Sequence, residues 1–296
     1  MREHHHFITA ADGSRVAWGV AGPTNPADAP DAPALLLCNG LTTNTHFWRR
    51  LLAPLEVRHR VVTWDLKGHG DSGPARTAAG ASIEGVADDA LRVLDAAGVQ
   101  RAVVCGFSMG CEVAVEIHHQ AKDRVRALAL LLGPAGRVFD TALGPVGGAL
   151  RHLIGALPGP ALSVVMPGVA RIGRSPLGHS LGHKLGLVGP AATAHDLNGI
   201  VGHWGRLHAP SMRHLAMSAA RYDGWAHLDA IRVPTLILAG DLDVFAPTGK
   251  VGARIRERVR HARLVRMPHG THASMLEHAD EVLATLERFL ADDVRV

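Results

Sequence analysis

Residues 106–110, Gly-Phe-Ser-Met-Gly, match the pattern Gly-x-Ser-x-Gly, in which the central Ser108 can act as a nucleophile. A serine on a sharp turn needs small neighbours, because the strand before it and the helix after it approach closely. A short apolar run at 101–105 precedes the pattern, and a helical pattern follows it to about Ala121. The pentapeptide alone occurs by chance in glycine-rich chains. Its place between a strand and a helix is what indicates chemistry.

A serine hydroxyl is a weak nucleophile without a base, so a histidine and an orienting acid should follow it. Two acids, Asp241 and Asp243, come directly after an apolar run that ends at Gly240. Two histidines, His269 and His272, follow the last predicted strand. Both pairs fall at the C-terminal ends of strands, where ligands gather in open α/β sheets. The residues alone do not choose within either pair.

The elements that would position these residues follow a regular alternation. Strand patterns occur at 4–9, 14–20, 34–38, 60–64, 101–105, 125–132, 234–239 and 263–267. Helical patterns occur at 46–55, from an N-cap at Ser82 to about 97, from the 106–110 segment to about 121, at 250–259 and at 276–290. Asp12-Gly13 predicts a hairpin between the first two strands. The alternation predicts a mostly parallel sheet with helices on both faces.

This alternation breaks at residues 136–223, which are rich in Gly, Pro, Leu, His and Ala. From Arg137 to Tyr222 the stretch holds two acids, Asp140 and Asp196, against eight lysines and arginines. A structureless loop of this length is implausible in a compact domain, so we predict a helical insertion. The expected domains are a core formed by 1–135 and 224–296, interrupted by a helical cap insertion at 136–223.

Composition excludes several classes of protein. Hydrophobic residues make up 47% and charged residues 20%, as in globular proteins. No run approaches the ~20 apolar residues of a spanning helix, and the N-terminus lacks the apolar region of a signal peptide. Cys38, Cys105 and Cys111 give no disulfide framework, so a cytoplasmic location is the default expectation. The net charge of +4 comes from scattered arginines, so no nucleic-acid partner is expected.

Two further segments carry a resemblance to a known family. Residues 65–73, Asp-Leu-Lys-Gly-His-Gly-Asp-Ser-Gly, are similar to a D-x-x-G-x-G-x-S loop, and residues 88–99 resemble the helix that usually precedes the nucleophile strand. With the Gly-x-Ser-x-Gly pattern, the chain resembles the α/β-hydrolase superfamily over about 7–292, in a branch with a helical cap. The resemblance implies the α/β-hydrolase fold, a mostly parallel central sheet with helices on both faces and a helical cap insertion.

The family pattern also implies a choice within each pair. Its acid typically lies three residues after the strand-terminal glycine, which points to Asp243. Its histidine typically lies five residues before a glutamate that opens the last helix, which points to His272. In this interpretation His272 is the general base for Ser108, and Asp243 fixes the imidazole tautomer. Asp241 would then be a loop carboxylate and His269 a residue on the rim.

The resemblance further implies an oxyanion hole made of two backbone N–H groups. One belongs to Met109, the residue after the nucleophile, and the other to Leu41 in the loop after Cys38. In the family, this loop usually has a histidine at the position that Asn39 occupies in this chain. The Asn39 amide could order the loop or a water, or it could bond its own backbone, which we favour.

Other residues give weaker signals. Asn39, His203 and Trp204 could line a substrate pocket, although aromatic residues could equally form the small core of the cap. Twenty histidines invite a metal hypothesis, and His179 and His183 have i,i+4 spacing. They lack the glutamate of H-E-x-x-H, and Gly182 argues against a stable helix there. We expect no metal and no cofactor.

These patterns predict a serine hydrolase that cleaves a carboxylic ester or related acyl bond through an acyl-enzyme on Ser108. A serine C–C bond hydrolase, lactonase, thioesterase or acyltransferase of the same fold would look the same at this level. A slow-turnover ligand-binding receptor is an alternative of another class. The expected partner is a small ester or acyl substrate, and the protein is a monomer or homodimer. Contact between the acid-poor cap and a membrane is the less favoured hypothesis, because the arginines of the cap could simply form a solvated face.

Overall fold

The computed structural model describes residues 6–23, 32–141 and 145–294, so the first two residues of the strand predicted at 4–9 lie outside the described residues. Eight strands form one sheet in the order β1-β2-β4-β3-β5-β6-β7-β8. Their bounds are β1 (His6–Thr9), β2 (Arg15–Ala21), β3 (Ala34–Cys38), β4 (Val61–Trp64), β5 (Ala102–Phe107), β6 (Val125–Leu131), β7 (Thr235–Gly240) and β8 (Arg263–Met267). The pairs β1–β2 and β2–β4 are antiparallel, and the other pairs are parallel. The predicted mostly parallel sheet is confirmed.

Helices cover both faces of this sheet. They are α1 (Arg49–Arg58), α2 (Ile83–Ala96), α3 (Gly110–Gln120), α4 (Val138–Thr141), α5 (Pro145–Ala156), α6 (Gly159–Gly173), α7 (Pro176–Lys184), α8 (Ala194–Val201), α9 (Ala209–Ala219), α10 (Gly252–Arg258), α11 (Ser274–Glu277) and α12 (Ala279–Asp292). The helix predicted at 46–55 is a 3-10 turn at Thr45–Trp48 followed by α1. The helix predicted at 276–290 is divided between α11 and α12.

The sheet is buried on both faces, and β3 shows how its residues are divided. Leu35 and Leu37 point toward the layer that contains α1 and α12, whereas Leu36 and Cys38 point toward the layer of α2 and α3. Successive side chains of a strand point to opposite faces, so a strand covered on both sides must be apolar throughout. This is why the central strands read as continuous apolar runs.

Several helices and strands begin or end at the residues that the sequence predicts, because local turn and capping signals fix them there. Asp12 Oδ1 accepts from the Ser14 N–H at 3.0 Å, and Gly13 has φ of 79°, which closes the β1–β2 hairpin. The Ser82 hydroxyl accepts from the Gly85 N–H at 3.1 Å and caps α2. Gly98, two residues after that helix, has φ of 64°.

The segment between β6 and β7 contains α4 to α9. One local expectation was wrong there, because α7 includes Gly182 in a regular helix. The Ser175 hydroxyl accepts from the Gly178 N–H at 3.2 Å, and Pro176 occupies the first helical position. These N-terminal signals, with packing against α6, outweigh the weak helix propensity of one glycine. The division of the chain into a core and a cap stays a prediction.

The loop at 65–73 packs against α9 of the segment between β6 and β7. The Asp65 carboxylate accepts from the Asp71 N–H at 3.0 Å, and the Ser72 hydroxyl donates to the Asp65 carbonyl at 2.7 Å. Gly68 lies against α9, where a Cβ would come within 2.8 Å of the Ser211 Cβ. The glycine and serine positions of the D-x-x-G-x-G-x-S pattern therefore hold a tight loop against α9. In the described residues, no helix is long and apolar enough to cross a membrane.

A buried acid lies in the first turn of α3, directly behind the serine turn. Glu112 is fully buried, and burial raises the pKa of its carboxyl well above the ordinary value, an effect that a backbone hydrogen bond from Val138 only partly opposes. The folded state therefore favours the neutral acid, whereas the unfolded chain releases this proton near pH 4.5. A group with a raised pKa contributes stability that is lost as the pH rises above the unfolded value.

We expect Glu112→Gln to raise the stability of the protein at pH 8 relative to the parent. The amide keeps the shape of the neutral acid and has no proton to lose, so the difference should grow by up to about 1.4 kcal/mol per pH unit above pH 4.5. Urea unfolding of both proteins at pH 5 and pH 8 measures it. A stability difference that does not change between these pH values would contradict the prediction.

Candidate active site

The serine at 108 lies on a tight turn between β5 and α3. Ser108 has φ of 56°, a left-handed conformation that non-glycine residues rarely adopt and that costs about 1–3 kcal/mol. Its N–H donates to the Leu131 carbonyl at 3.1 Å, and its carbonyl accepts from the Cys111 N–H at 2.9 Å. These bonds hold the strained backbone, so the turn presents the hydroxyl above the carboxyl edge of the sheet.

The two glycines of the pattern are required by close backbone contacts. A Cβ on Gly106 would lie 2.3 Å from the Gly110 carbonyl oxygen, and a Cβ on Gly110 would lie 2.2 Å from the Cys38 carbonyl oxygen. Gly133, after β6, has the same constraint, since its Cβ would lie 2.1 Å from the Ser108 carbonyl oxygen. The sequence pattern predicts the first two glycines but contains no signal for the third.

Ser108, His272 and Asp243 form a continuous chain of hydrogen bonds. The Ser108 hydroxyl donates to Nε2 of His272 at 2.9 Å. The Nδ1–H of His272 donates to the Asp243 carboxylate, at 2.9 Å to Oδ2 and 3.1 Å to Oδ1. Because a carboxylate only accepts, this contact assigns the ring proton to Nδ1 and leaves Nε2 free to accept from the serine. The rings of Phe107 and Phe245 lie against the imidazole.

The two candidate acids have different environments. Asp243 has no exposed side-chain surface, and its Oδ1 accepts from the N–H groups of Phe245 and Ala246 at 2.8 and 3.0 Å. Asp241 lies on the surface, where its hydrogen bond with Arg266 lowers the pKa of its carboxyl. The loop after β7 therefore directs the Asp243 side chain into the protein and the Asp241 side chain toward solvent.

The two candidate histidines are divided in the same way. His269 is exposed and lies away from the hydrogen-bonded chain, whereas His272 is mostly buried and belongs to it. The loop between β8 and α11 is held by Thr271, whose hydroxyl donates to Glu277 at 2.8 Å. The glutamate five residues after the histidine thus fixes the loop that carries the imidazole.

Leu41 and Met109, whose backbone N–H groups are the expected oxyanion donors, both line the cavity above Ser108. Within the described part of the chain, neither group donates a hydrogen bond to another protein atom. The loop with Leu41 lies unusually close to the serine, since a Cβ on Gly40 would come within 2.8 Å of the Ser108 Cβ. These N–H groups are therefore available to an oxygen bound next to the serine, as an oxyanion hole requires.

Asn39 lies behind this loop and does not line the space above the serine. Its amide donates to the Trp64 carbonyl at 3.0 Å, and its carbonyl oxygen accepts from the Trp48 Nε1–H at 3.0 Å. The favoured expectation, a bond to its own backbone, differs from this arrangement. The side chain instead ties the loop to β4 and to the turn before α1, because it is buried between them and both of its polar ends need partners.

A cavity of about 530 Å³ opens above Ser108 and His272. Trp204 lies on its wall and donates through Nε1 to the Thr42 carbonyl at 3.1 Å. His203 does not, since it is buried beside His69 outside the lining. Burial lowers the pKa of His203 to about 3, so this imidazole is neutral. Of the three residues expected at the pocket, the structure places only Trp204 on it.

The cavity wall is almost entirely apolar. Among the described residues that line it there is no Asp, Glu, Lys or Arg, and Thr42 and Thr43 are the polar side chains besides Ser108, His272 and the Trp204 ring. Most of the apolar residues come from the 136–223 segment, including α6, α7 and α8, and the others include Phe47 of the 3-10 turn before α1 and Phe245 of the loop after β7. Sequence patterns did not single out these residues, because the insertion predicted at 136–223 was not divided into individual helices and so gave no register from which to assign a pocket face.

The cysteines near the site are packing residues. Cys38, Cys105 and Cys111 are buried and free, and burial raises the pKa of the Cys105 thiol to about 12. A thiol in this state is a poor nucleophile. In the described residues, no group of three or more His, Cys, Asp or Glu side chains could hold a metal ion.

Comparison with known proteins agrees with this geometry. The family described as "alpha/beta hydrolase fold" matches residues 33–146. A pimeloyl-[acyl-carrier protein] methyl ester esterase of Neisseria meningitidis serogroup A is 30% identical over 88% of this chain and 78% of that protein. The chain belongs to the α/β hydrolase family.

Other members of the α/β hydrolase family are similar over different lengths. A 3-oxoadipate enol-lactonase of Acinetobacter baylyi is 34% identical over 107 residues, which is 36% of this chain and 37% of that protein. The crystal structure of the enol-lactonase from Burkholderia xenovorans superposes with a TM-score of 0.71 at 22% identity, covering 97% of this chain and 100% of that one. At that identity, the superposition shows that the two α/β hydrolases share a fold.

We expect Gly40→Ala to lower kcat for a small soluble ester such as 4-nitrophenyl acetate by about 100-fold or more. The added Cβ pushes the loop away from Ser108 and displaces the Leu41 N–H, and loss of one oxyanion donor costs about 10²–10³ in kcat. Steady-state kinetics and thermal unfolding of the variant measure the effect.

Gly249→Ala is the matched control, because a Cβ on Gly249 meets nothing within 4 Å. Its kcat should equal that of the parent. A Gly40→Ala variant that keeps the parent kcat would show that the close approach at this loop is not needed for turnover.

Proposed function

We propose that this α/β hydrolase cleaves carboxylic esters through an acyl-enzyme on Ser108. The observation that carries the proposal is the hydrogen-bonded chain from the Ser108 hydroxyl through His272 to the buried Asp243 carboxylate. The chain's relatives include enzymes named as esterases and lactonases, so an ester bond is the substrate class they support.

The reaction begins when Nε2 of His272 takes the Ser108 proton as Oγ attacks the ester carbonyl. The carbonyl oxygen becomes negative in the tetrahedral intermediate and accepts from the N–H groups of Leu41 and Met109. The imidazolium then protonates the departing alcohol, which leaves an acyl group on Oγ. Asp243 stabilises the positive ring and keeps Nδ1 as the donor.

The second half of the reaction uses the same groups on water. His272 takes a proton from a water molecule, the hydroxide attacks the acyl-enzyme carbonyl, and the two N–H groups again hold the oxyanion. Collapse of this intermediate returns the proton to Ser108 and releases the carboxylic acid. The strained turn fixes the position of Oγ. The carbonyl group attacked in each half of the reaction therefore lies next to the same imidazole and the same two N–H groups.

The apolar cavity favours a neutral ester with an apolar acyl or alcohol part. Its volume of about 530 Å³ lies within the 300–1,000 Å³ typical of sites for small organic ligands. A charged substrate group inside it would meet no opposite charge among the described lining residues, and burial of an unpaired charge is unfavourable by several kcal/mol. The segment 136–223, which we propose as the cap, supplies most of this apolar wall.

We expect Ser108→Ala to lower kcat by roughly 10⁴- to 10⁶-fold without unfolding the protein, because the nucleophile is lost while the fold is kept. In the parent, a fluorophosphonate should label Ser108, as shown by mass spectrometry of the labelled peptide. Ser163→Ala is the control, since this serine is exposed and its hydroxyl only donates to the Gly159 carbonyl. Label on another residue, or full turnover in Ser108→Ala, would overturn the mechanism. A parent protein that is folded yet binds esters without turnover would favour a receptor.

Charge selectivity tests the substrate class. We expect kcat/KM for 4-nitrophenyl octanoate to exceed that for the carboxylate-bearing 4-nitrophenyl monoester of adipic acid by about 100-fold or more, because the carboxylate loses its hydration without gaining a partner. The matched control is the methyl ester of this carboxylate, which should recover most of the kcat/KM that the charged ester loses. Equal kcat/KM for the charged ester and its methyl ester would contradict an apolar cavity as the selective element.

A further inference from the structure

The exposed apolar surface of the protein is concentrated on two helices. Seven of the ten exposed large apolar side chains in the described part of the chain fall between Val164 and Leu185, on α6, α7 and the residue after α7. Val164 is 81% exposed and Leu177 is 73% exposed. Scattered apolar residues on a surface need no explanation, but a concentrated group marks a site of interaction.

The helical spacing of these residues gives each helix one apolar face. On α7, an apolar residue recurs every four positions, at Leu177, Leu181 and Leu185, the last directly after the helix. On α6, one side of the helix carries Val165, Val169 and Ile172. We call this surface, formed by the exposed apolar side chains from Val164 to Leu185, the α6–α7 face.

The α6–α7 face continues into the cavity above the serine. Val169, Ile172, Leu181 and Leu185 are exposed to solvent and also line the cavity that contains Ser108. A molecule held against the face therefore reaches the reactive hydroxyl along an uninterrupted apolar path.

The segment that carries this face also has exposed cations without acids to balance them. Arg171, Arg174 and Lys184 are exposed, and no described residue forms an ion pair with them. Residues 141–195 contain no Asp or Glu. The next acid, Asp196, is buried and paired with Arg49. The segment from Val164 to Leu185 thus combines exposed apolar side chains with three cations and no acid.

Two of these cations also line a groove suited to an anionic group. Arg171 and Arg174 line a shallow depression together with Gly202 and Gly205. Two guanidinium groups one helical turn apart can bind the oxygens of one phosphate through charge-assisted hydrogen bonds.

We propose that the α6–α7 face docks on the surface of an anionic phospholipid bilayer, with the apolar side chains among the acyl chains and the three cations at the phosphates. An apolar ester dissolved in the bilayer would then enter the cavity without crossing water. The charge of these helices argues against a second copy as the occupant, because residues 141–195 of a second copy would bring no acid to pair with the three cations.

The experiment measures co-sedimentation of the full chain with large unilamellar vesicles, either of phosphatidylcholine alone or of phosphatidylcholine with 30% phosphatidylglycerol. We expect the anionic vesicles to bind the protein at least tenfold more tightly. Each basic residue near an anionic surface contributes roughly a fivefold effect, so Arg171→Gln/Arg174→Gln/Lys184→Gln should weaken binding by about 100-fold. The control triple variant Arg101→Gln/Lys250→Gln/Arg260→Gln removes the same charge from exposed sites elsewhere and should change binding far less.

A second pair of variants tests the apolar contact. Val164→Gln/Leu177→Gln changes two residues outside the cavity lining and should weaken vesicle binding at least tenfold, while hydrolysis of soluble 4-nitrophenyl acetate stays at the parent rate. Val57→Gln on α1 is the matched control, since Val57 is 74% exposed and lies away from the α6–α7 face. Its vesicle binding should equal that of the parent.

The proposal is overturned if the patch variants bind anionic vesicles as the parent does, or if the parent binds neutral and anionic vesicles equally. It is also overturned if sedimentation velocity shows a dimer that Val164→Gln/Leu177→Gln dissociates, because a second copy then occupies the face. The binding measurements are repeated with Ser108→Ala. Vesicle binding by that variant supports the docking proposal even if the serine mechanism fails, so the two proposals fail separately.

Discussion

The close approach of backbones around Ser108 is the constraint on which the site depends. Gly40, Gly106, Gly110 and Gly133 each lie where a Cβ would overlap a neighbouring backbone or the serine itself. This packing lets β3, β5 and β6 converge on one turn, and it holds Ser108 in a left-handed conformation against a cost of about 1–3 kcal/mol. The hydroxyl is therefore positioned by the sheet, and its distance to His272 follows from the backbone rather than from a mobile side chain.

Burial gives the two aspartates after β7 different environments. Asp243 is enclosed, and its Oδ1 accepts from two backbone N–H groups, while Oδ2 makes the shorter of its two contacts with His272, at 2.9 Å. Asp241, two residues earlier, points to solvent and pairs with Arg266. A buried carboxylate next to an imidazole stabilises the charge that the ring gains during proton transfer, whereas a solvated pair is screened. The same contrast distinguishes His272 from the exposed His269.

The sheet and its helices could be predicted because their signals are local, as the Ser82 cap and the apolar run of β3 show. The residues alone left two acids and two histidines, and only the resemblance to a family chose between them. The partners of Asn39 and the contact of Trp204 with Thr42 had no local signal, since the latter joins residues 162 positions apart. The prediction against a helix at α7 rested on one local signal, Gly182, which the cap at Ser175 and the packing against α6 outweigh.

The helices α6 and α7 contribute little to the core, and this explains their composition. Within the described side chains, α7 buries none fully and α6 buries only Leu162 and Ala170. Burial in the core therefore does not account for their leucines and valines, whereas the cavity and the outer face together do. Ile172 and Leu181 line the cavity and are also exposed on the outer face. The shape of the cavity and the polarity of this surface therefore cannot vary independently. A substitution that makes this wall polar changes which ester fits the cavity and what the surface can bind.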